Sequence, residues 1–310
     1  MSQNSSLYRF AEIAVMPGDP DEKSLKYNSS LDRFEGETRA FVRGSSWLFR
    51  FAPEVGVARG GAGSYDDKTV IARYLLSAFG DSLLNDGKSV QLFIHALELI
   101  PDEYELDSSS VIIDAGCGLG RSTYDLAIKY PESLIIGFDR SESMLSYASR
   151  LISGSEIEID SLRSLGFGPY KLKKRKTLNN VFLAQADVSR LPVRKNSVNV
   201  LLNIYLLDRL SDRMRSFYKE AYRVLKPGGM FICLDPLNYL NSWEWPEKNF
   251  EDQMHLKDIV QNCNEHAAKV ISCFFEEVKV TEGPDFIYRK DAAGNYSCFR
   301  TRCFVAAKKT

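Results

Sequence analysis

The sequence is poor in the residues from which metal and redox sites are built. Its three histidines, His95, His255 and His266, are dispersed and show no H-E-x-x-H spacing. The six cysteines, Cys117, Cys233, Cys263, Cys273, Cys298 and Cys303, form no C-x-x-C pair, so the closely paired ligands of a tetrahedral zinc site are missing and buried free thiols are expected. No metal is expected. No apolar run approaches the roughly 20 residues that span a bilayer; the broken runs at 92–100 and 200–207 suit a core. The start, MSQNSSLYRFAEIAVM, has neither a basic region leading into an apolar stretch nor the Arg-rich, acid-free look of a transit peptide. A soluble, cytoplasmic protein with no membrane partner is expected. An excess of one charge is lacking too: 40 basic residues face 41 acidic ones, a net charge of -1, which argues against a bulk polyanion binder.

What is present is enough apolar material, 44% of 310 residues, for a full core without staples. From residue 111 onward short apolar runs alternate with helical patterns, the signature of a parallel sheet covered by helices. Strands are predicted at 111–114, 134–138, 181–184, 198–204 and 230–234, and helices at 122–130, 143–151 and 213–225, the last ended by Lys226-Pro-Gly-Gly. Strand-like text at 274–280 and 298–306, with the turn Asp-Ala-Ala-Gly-Asn at 291–295 between them, predicts an antiparallel pair closing the sheet. A further helix is expected over 250–268. Residues 1–64 mix Ser, Asn, Gly and charge, and Arg59-Gly-Gly-Ala-Gly-Ser reads as a hinge, so this segment is expected to be a cap appended to a principal domain at 65–310.

The most informative residues are Val111-Ile-Ile-Asp-Ala-Gly-Cys-Gly-Leu-Gly-Arg-Ser. A strand runs into Gly116, Gly118 and Gly120 and then into a helix, a turn in which a ligand can approach main-chain N–H groups at the helix N-terminus. The spacing is G-x-G-x-G, with Arg121 where the dinucleotide fingerprint has its third glycine. Asp114 at the strand end would repel a pyrophosphate but suits a cationic amino-acid group. Asp139, at the end of the next strand, is placed to accept hydrogen bonds from ribose hydroxyls. These residues together want a nucleoside with an amino-acid tail.

The runs VIIDAGCGLG, IIGFDRSESML, AQADVSRLPVRKNSVNVLLNIYLLDRL and KEAYRVLKPGGMFICLD, in this order, resemble the class I S-adenosylmethionine-dependent methyltransferases over about residues 65–235. The resemblance implies an open, mostly parallel Rossmann-like sheet with helices on both faces and S-adenosylmethionine as cofactor. It implies that Asp114, Gly116, Cys117, Gly118 and Gly120 hold the methionine part and Asp139 the ribose. Arg140 and Met144 would line the adenosine, and Asp187 with Val188 the adenine. Asn203, Ile204 and Tyr205 fall on the segment that runs under the sulfonium. Ser64-Tyr-Asp-Asp resembles a segment that many small-molecule members fold over the cofactor, which makes Tyr65 a candidate lid.

The general base is not evident. The family's common histidine after the fourth strand is replaced by Asn203-Ile-Tyr-Leu-Leu-Asp. Tyr205 and Asp208 are candidates to orient or deprotonate an acceptor, against an Asp208 bonded to Arg209 or Arg213. Asp235, Asn238 and Tyr239 follow the fifth strand at the edge where such sheets place their substrate crevice. Neither an Asn-Pro-Pro-Tyr motif nor a catalytic cysteine pair follows the fourth strand, so a small-molecule acceptor is expected, methylated on nitrogen, oxygen or a carboxylate. The stretch between Asp139 and Asp187 is about twice what one helix and its turns require, an insertion at 153–180. Its run Lys171-Leu-Lys-Lys-Arg-Lys supports an alternative, an RNA or protein substrate. A third reading is a catalytically silent cofactor-binding subunit.

Overall fold

A computed structural model describes residues 4–36, 40–45, 48–51, 67–210, 213–237, 264–265 and 267–309. The chain begins with helix α1 (Asn4–Ile13) and four short strands, β1 (Lys26–Asn28), β2 (Arg33–Glu35), β3 (Ala40–Ser45) and β4 (Leu48–Arg50). Helices α2 (Lys68–Ala78), α3 (Gly80–Leu83) and α4 (Gln91–Glu98) follow. The alternating section is β5 (Val111–Ala115), α5 (Arg121–Lys129), β6 (Leu134–Asp139), α6 (Glu142–Ile152), the small strands β7 (Ile157–Ile159) and β8 (Tyr170–Leu172), then β9 (Val181–Gln185), β10 (Val198–Ile204), α7 (Met214–Val224) and β11 (Leu225–Asp235). Strands β12 (Glu276–Glu282), β13 (Phe286–Arg289), β14 (Tyr296–Phe299) and β15 (Arg302–Ala307) complete it.

Eleven strands form one sheet in the order β1-β2-β3-β4-β9-β6-β5-β10-β11-β15-β12. Its centre, from β4 to β11, is parallel, and both flanks are antiparallel. The order reverses at β5, which has β6 on one side and β10 on the other, so a crevice opens at the carboxyl ends of these strands. Strand β5 is buried along its whole length, as the uninterrupted apolar text predicts for a strand covered on both faces. One apolar layer contains Phe10 of α1 and Phe217 of α7, and the other contains Leu75 of α2, Leu92 of α4 and Leu126 of α5. Phe10 stacks on Phe182 of β9 at 4.1 Å, which seats α1 on the sheet.

Three local outcomes differ from expectation. The described part of residues 1–64 is built into the main sheet: Phe49 and Arg50 of β4 pair with Ala184 and Gln185 of β9 in parallel. Three-residue strands carry too short an alternation to be read, and a cluster of Phe34, Phe49 and Phe51 around Phe10 holds them. Second, β12 and β15 do form the expected antiparallel pair, but the 291–295 turn closes a separate hairpin, β13–β14, inserted between them. Third, Lys226-Pro-Gly-Gly continues the strand instead of ending before it, because Gly228 N–H donates to the Lys308 carbonyl at 2.9 Å and Lys308 N–H donates to that of Gly229. Of the helix expected at 250–268, residues up to 263 and His266 lie outside the described residues. Among the described residues no helix is long and apolar enough to cross a membrane.

Candidate functional site

The site is assembled at the carboxyl ends of β5 and β6. Gly116, Gly118 and Gly120 all have positive φ, at 77°, 50° and 76°. Their surroundings separate their roles. A Cβ on Gly116 would lie 2.8 Å from Leu206, and one on Gly120 would lie 2.7 Å from the Cβ of Ala148, so these two glycines allow close packing of the β10 end and of α6. A Cβ on Gly118 would meet nothing within 4 Å. The turn is open there.

Main-chain bonds fix the turn to β6: the N–H groups of Gly116 and Cys117 both donate to the Phe138 carbonyl, at 2.8 and 3.0 Å. Asp139 adds a side-chain tie, accepting from Gly118 N–H at 2.9 Å and from Ser141 N–H at 2.8 Å. Ser141, the N-cap of α6, accepts from Met144 N–H.

Asp114 is 1% exposed and accepts from Ser122 Oγ at 2.7 Å and Thr123 Oγ1 at 2.5 Å. Burial pushes its carboxyl up to about 6; the two hydroxyls oppose this and the charge of Asp139 adds to it. Sequence reasoning gave Asp114 a ligand to hold and missed that it fastens the first turn of α5; the Ser-Thr that follows Arg121 was the available signal. The Cys117 thiol is raised well above its ordinary range by burial and by the Asp114 and Asp139 carboxylates, which makes it inert.

On the far side of β6, Asp187 accepts from Ser189 N–H and Oγ, at 3.0 and 2.7 Å, and from Arg213 Nη1 at 2.9 Å. Burial raises its carboxyl, but the Ser189 bonds and the nearby Arg213 and Arg140 charges outweigh this and hold it below the usual range. Arg213 thus reaches Asp187, a partner not anticipated from sequence. Val188 and Met144 are buried, in different apolar layers, and Arg140 is half-buried, its carbonyl accepting from Gln185 Nε2.

At the end of β10, Asn203 is fully buried beside Cys233 of β11, with whose thiol its side chain interacts. Ile204, Tyr205 and Leu206 then become half-exposed. Tyr205 takes φ 54°, an outlier for a bulky residue, and its hydroxyl is engaged with Thr301 Oγ1 at 2.7 Å and donates to the Phe299 carbonyl. Burial raises its phenol further, which makes proton abstraction by Tyr205 unfavourable. Asp235 accepts from Leu207 N–H and Leu237 N–H and shapes the chain leaving β11. Tyr65, Asn238 and Tyr239 lie outside the described residues, as does the side chain of Asp208, whose backbone is in the short turn Leu207–Arg209. No metal-binding cluster occurs among the described residues.

The basic insertion is partly committed to the fold. Lys171 pairs with Glu156 and Glu158 across β7–β8, at 3.3 and 2.8 Å. Arg175 lies over the rings of Phe79 and Tyr124 and donates to Ser82 Oγ.

An open α/β sheet with a glycine turn at its switch point and a strand-end acid bonded to that turn is a Rossmann-like arrangement. A family model described as a methyltransferase domain matches residues 106–291. Curated relatives include the demethylmenaquinone methyltransferase of Lactococcus lactis, 34% identical over 125 residues (40% of this chain, 41% of that protein). The malonyl-[acyl-carrier protein] O-methyltransferase of Hahella chejuensis is 30% identical over 122 residues (39% and 35%). A ubiquinone/menaquinone biosynthesis C-methyltransferase of Blochmanniella floridana is 28% identical over 178 residues (54% and 60%). The chain thus matches less than two thirds of the length of each of these relatives. A solved structure, a putative S-adenosyl-L-methionine-dependent methyltransferase from Methanococcus maripaludis, shares the fold with a TM-score of 0.50 at 16% identity, covering 82% of this chain and 98% of that one. The chain belongs to the methyltransferase domain family, within the class I S-adenosylmethionine-dependent methyltransferases.

Proposed function

We propose that this protein methylates a small-molecule acceptor, with S-adenosylmethionine as the methyl donor. The observation that carries the reading is the open face of Gly118 beside Asp139. The residues present therefore fit the cofactor.

Asp139 accepts from the ribose hydroxyls while it holds the turn. Arg140, Met144, Asp187 and Val188 line the base. Asp114, Gly116, Cys117, Gly118 and Gly120 would shape the strand-to-helix turn for the methionine part, and Asn203 and Ile204, at the end of β10, would back the sulfonium side of the site. When bound, the cofactor supplies an activated methyl carbon that an acceptor lone pair attacks in line while the carbon–sulfur electron pair stays on sulfur. What the chain contributes is alignment and exclusion of water, which can supply several kcal/mol of a displacement barrier. Tyr205 acts by positioning: its locked ring sets the direction of the chain after β10. The roles of Tyr65 as a lid and Asp208 as an orienting acid belong to the same proposal.

The name of one relative, a demethylmenaquinone methyltransferase, supports a small acceptor. The pairing of Lys171 and the stacking of Arg175 weigh against a phosphate-tracking surface. Calorimetric titration with S-adenosylmethionine and S-adenosylhomocysteine tests the cofactor site, and absence of binding at millimolar concentration would sink it. Isotopically labelled cofactor incubated with cell extract, then fractionated into metabolite, protein and RNA, tests the acceptor class.

A further inference from the structure

The β13–β14 hairpin is placed where an acceptor must enter. Arg302, the first residue of β15, pairs with Asp235, the last of β11, so the hairpin that precedes it lies beyond the carboxyl edge of the sheet. It folds back onto the end of β10. The ring of Phe286 lies 4.8 Å from that of Tyr205, Phe299 lies 6.4 Å from it, and Thr301 holds the Tyr205 hydroxyl. The other side of the hairpin meets α2, where Tyr288 and Tyr74 are edge-on at 5.3 Å. Leu206, next to Tyr205, is the residue that packs against Gly116, so this aromatic assembly adjoins the glycine turn at its methionine end.

Tyr74, Tyr205, Leu206, Tyr288 and Phe299 are all half-buried. Charges around the rings are largely tied down. Arg289 pairs with Asp86, Arg73 Nε donates to the Lys290 carbonyl, and Asp235 caps two main-chain amides. Arg73 and Arg209 act on Tyr288 from one side, and Asp235 and Asp285 on Tyr205 from the other.

We infer that the hairpin, α2 and the end of β10 form an aromatic wall that selects a flat, conjugated ring system as the acceptor. Ring faces and edges reward a planar conjugated ligand by offset or edge-to-face contact, by about 0.5–1.5 kcal/mol per pair beyond area burial. A saturated or acyl chain gains only the burial. This rests on the proposed function above and narrows it, favouring the ring-bearing class of acceptor over the acyl-carboxylate class.

The test is binding to the full chain saturated with S-adenosylhomocysteine. Naphthol, its saturated counterpart decahydronaphthol, and malonyl pantetheine are titrated separately. Naphthol is expected to bind at least about tenfold more tightly than either of the others. Tyr288→Ala and the milder Phe299→Leu are each expected to weaken naphthol about fivefold or more while leaving S-adenosylhomocysteine affinity unchanged, which also reports that the variants are folded. Equal affinity for the flat and saturated probes, tighter binding of malonyl pantetheine, or an unchanged naphthol affinity in both variants would overturn the inference alone. Failure of S-adenosylhomocysteine to bind the unsubstituted protein would overturn the underlying function, and this inference with it.

Discussion

Asp139 Oδ2 accepts a hydrogen bond from the main-chain N–H of Gly118 at 2.9 Å, so the acid expected to bind ribose also anchors the glycine turn. Asp139→Ala should therefore lose more than a ribose contact. A loss of about 1–3 kcal/mol in cofactor binding is expected from unpaired hydroxyls alone, with the loosened turn adding to it. Titration calorimetry of the variant with S-adenosylhomocysteine checks this, and an unchanged affinity would contradict the assignment.

Two glycines in the same turn should respond differently to alanine. Gly120→Ala puts a Cβ 2.7 Å from that of Ala148, between α5 and α6, and should lower the melting temperature by several degrees or prevent folding. Gly118→Ala meets no neighbour; its left-handed backbone costs about 1–2 kcal/mol, so the protein should fold but bind the cofactor at least about tenfold more weakly. Thermal melting read beside calorimetry separates the two, and normal cofactor affinity in Gly118→Ala would show that the open face is not the ligand face.

The raised carboxyl of Asp114 has a defined signature in stability. Its pKa of about 6 in the folded protein lies above its ordinary value of 3.8, so the folded state binds the proton more tightly than the unfolded chain. Stability from this group is then highest below about pH 4, falls as pH rises to about 6, and is level above that. Asp114→Asn should remove this component. The difference in unfolding free energy between wild type and variant, followed by urea titration from pH 4 to 8, should shrink or reverse across this window, and a flat difference would refute the shift.

Members of the basic run should separate by what they touch. Arg175→Ala removes a guanidinium packed on Phe79 and Tyr124 and should cost about 1–2 kcal/mol of stability. Lys173→Ala and Lys174→Ala, on exposed side chains, should stay within about 0.5 kcal/mol. Nucleic-acid binding by the wild type, measured against salt, should show no steep slope; a slope of several released ions that vanishes on neutralising Lys173, Lys174 and Lys176 would restore the RNA alternative.

Tyr205→Phe should leave the pH profile of turnover unmoved, because the hydroxyl that is lost is committed to Thr301 and Phe299. A displaced basic or acidic limb would make Tyr205 a proton-transfer residue after all.

The strands β5, β6 and β10 were legible because each is a largely buried apolar run: β10 appears at 198–204 as read, and β5 and β6, like the half-buried β9, extend one residue further. The glycine turn and Asp139 were legible because φ > 0 and a strand-end acid leave direct marks in the text. Other features had no local mark. The strands β1, β2 and β4 exist through packing on Phe10 and pairing with β9, contacts that join residues far apart in sequence. The 291–295 turn was correctly a turn, but which strands it joined depended on where Phe286 and Phe299 find cover, against Tyr205. The pairing of Arg213 with Asp187 joins the end of one crossover to the start of another, and nothing in either segment selects it.

The pairing of β4 with β9 also decides where the sheet stops. The strand that would have ended the parallel array is interior, and the two terminal strands are β1 and β12. Strand β12 reads Glu-Glu-Val-Lys-Val-Thr-Glu and is exposed along nearly all its length, with a register shift against β15 between Glu276 and Lys279. A ladder edge that carries three glutamates, a lysine and an irregularity is a poor template for another strand. At β1 the free ladder is three residues long. Among the described residues, the eleven-stranded sheet is thereby guarded at both ends against edge-to-edge pairing.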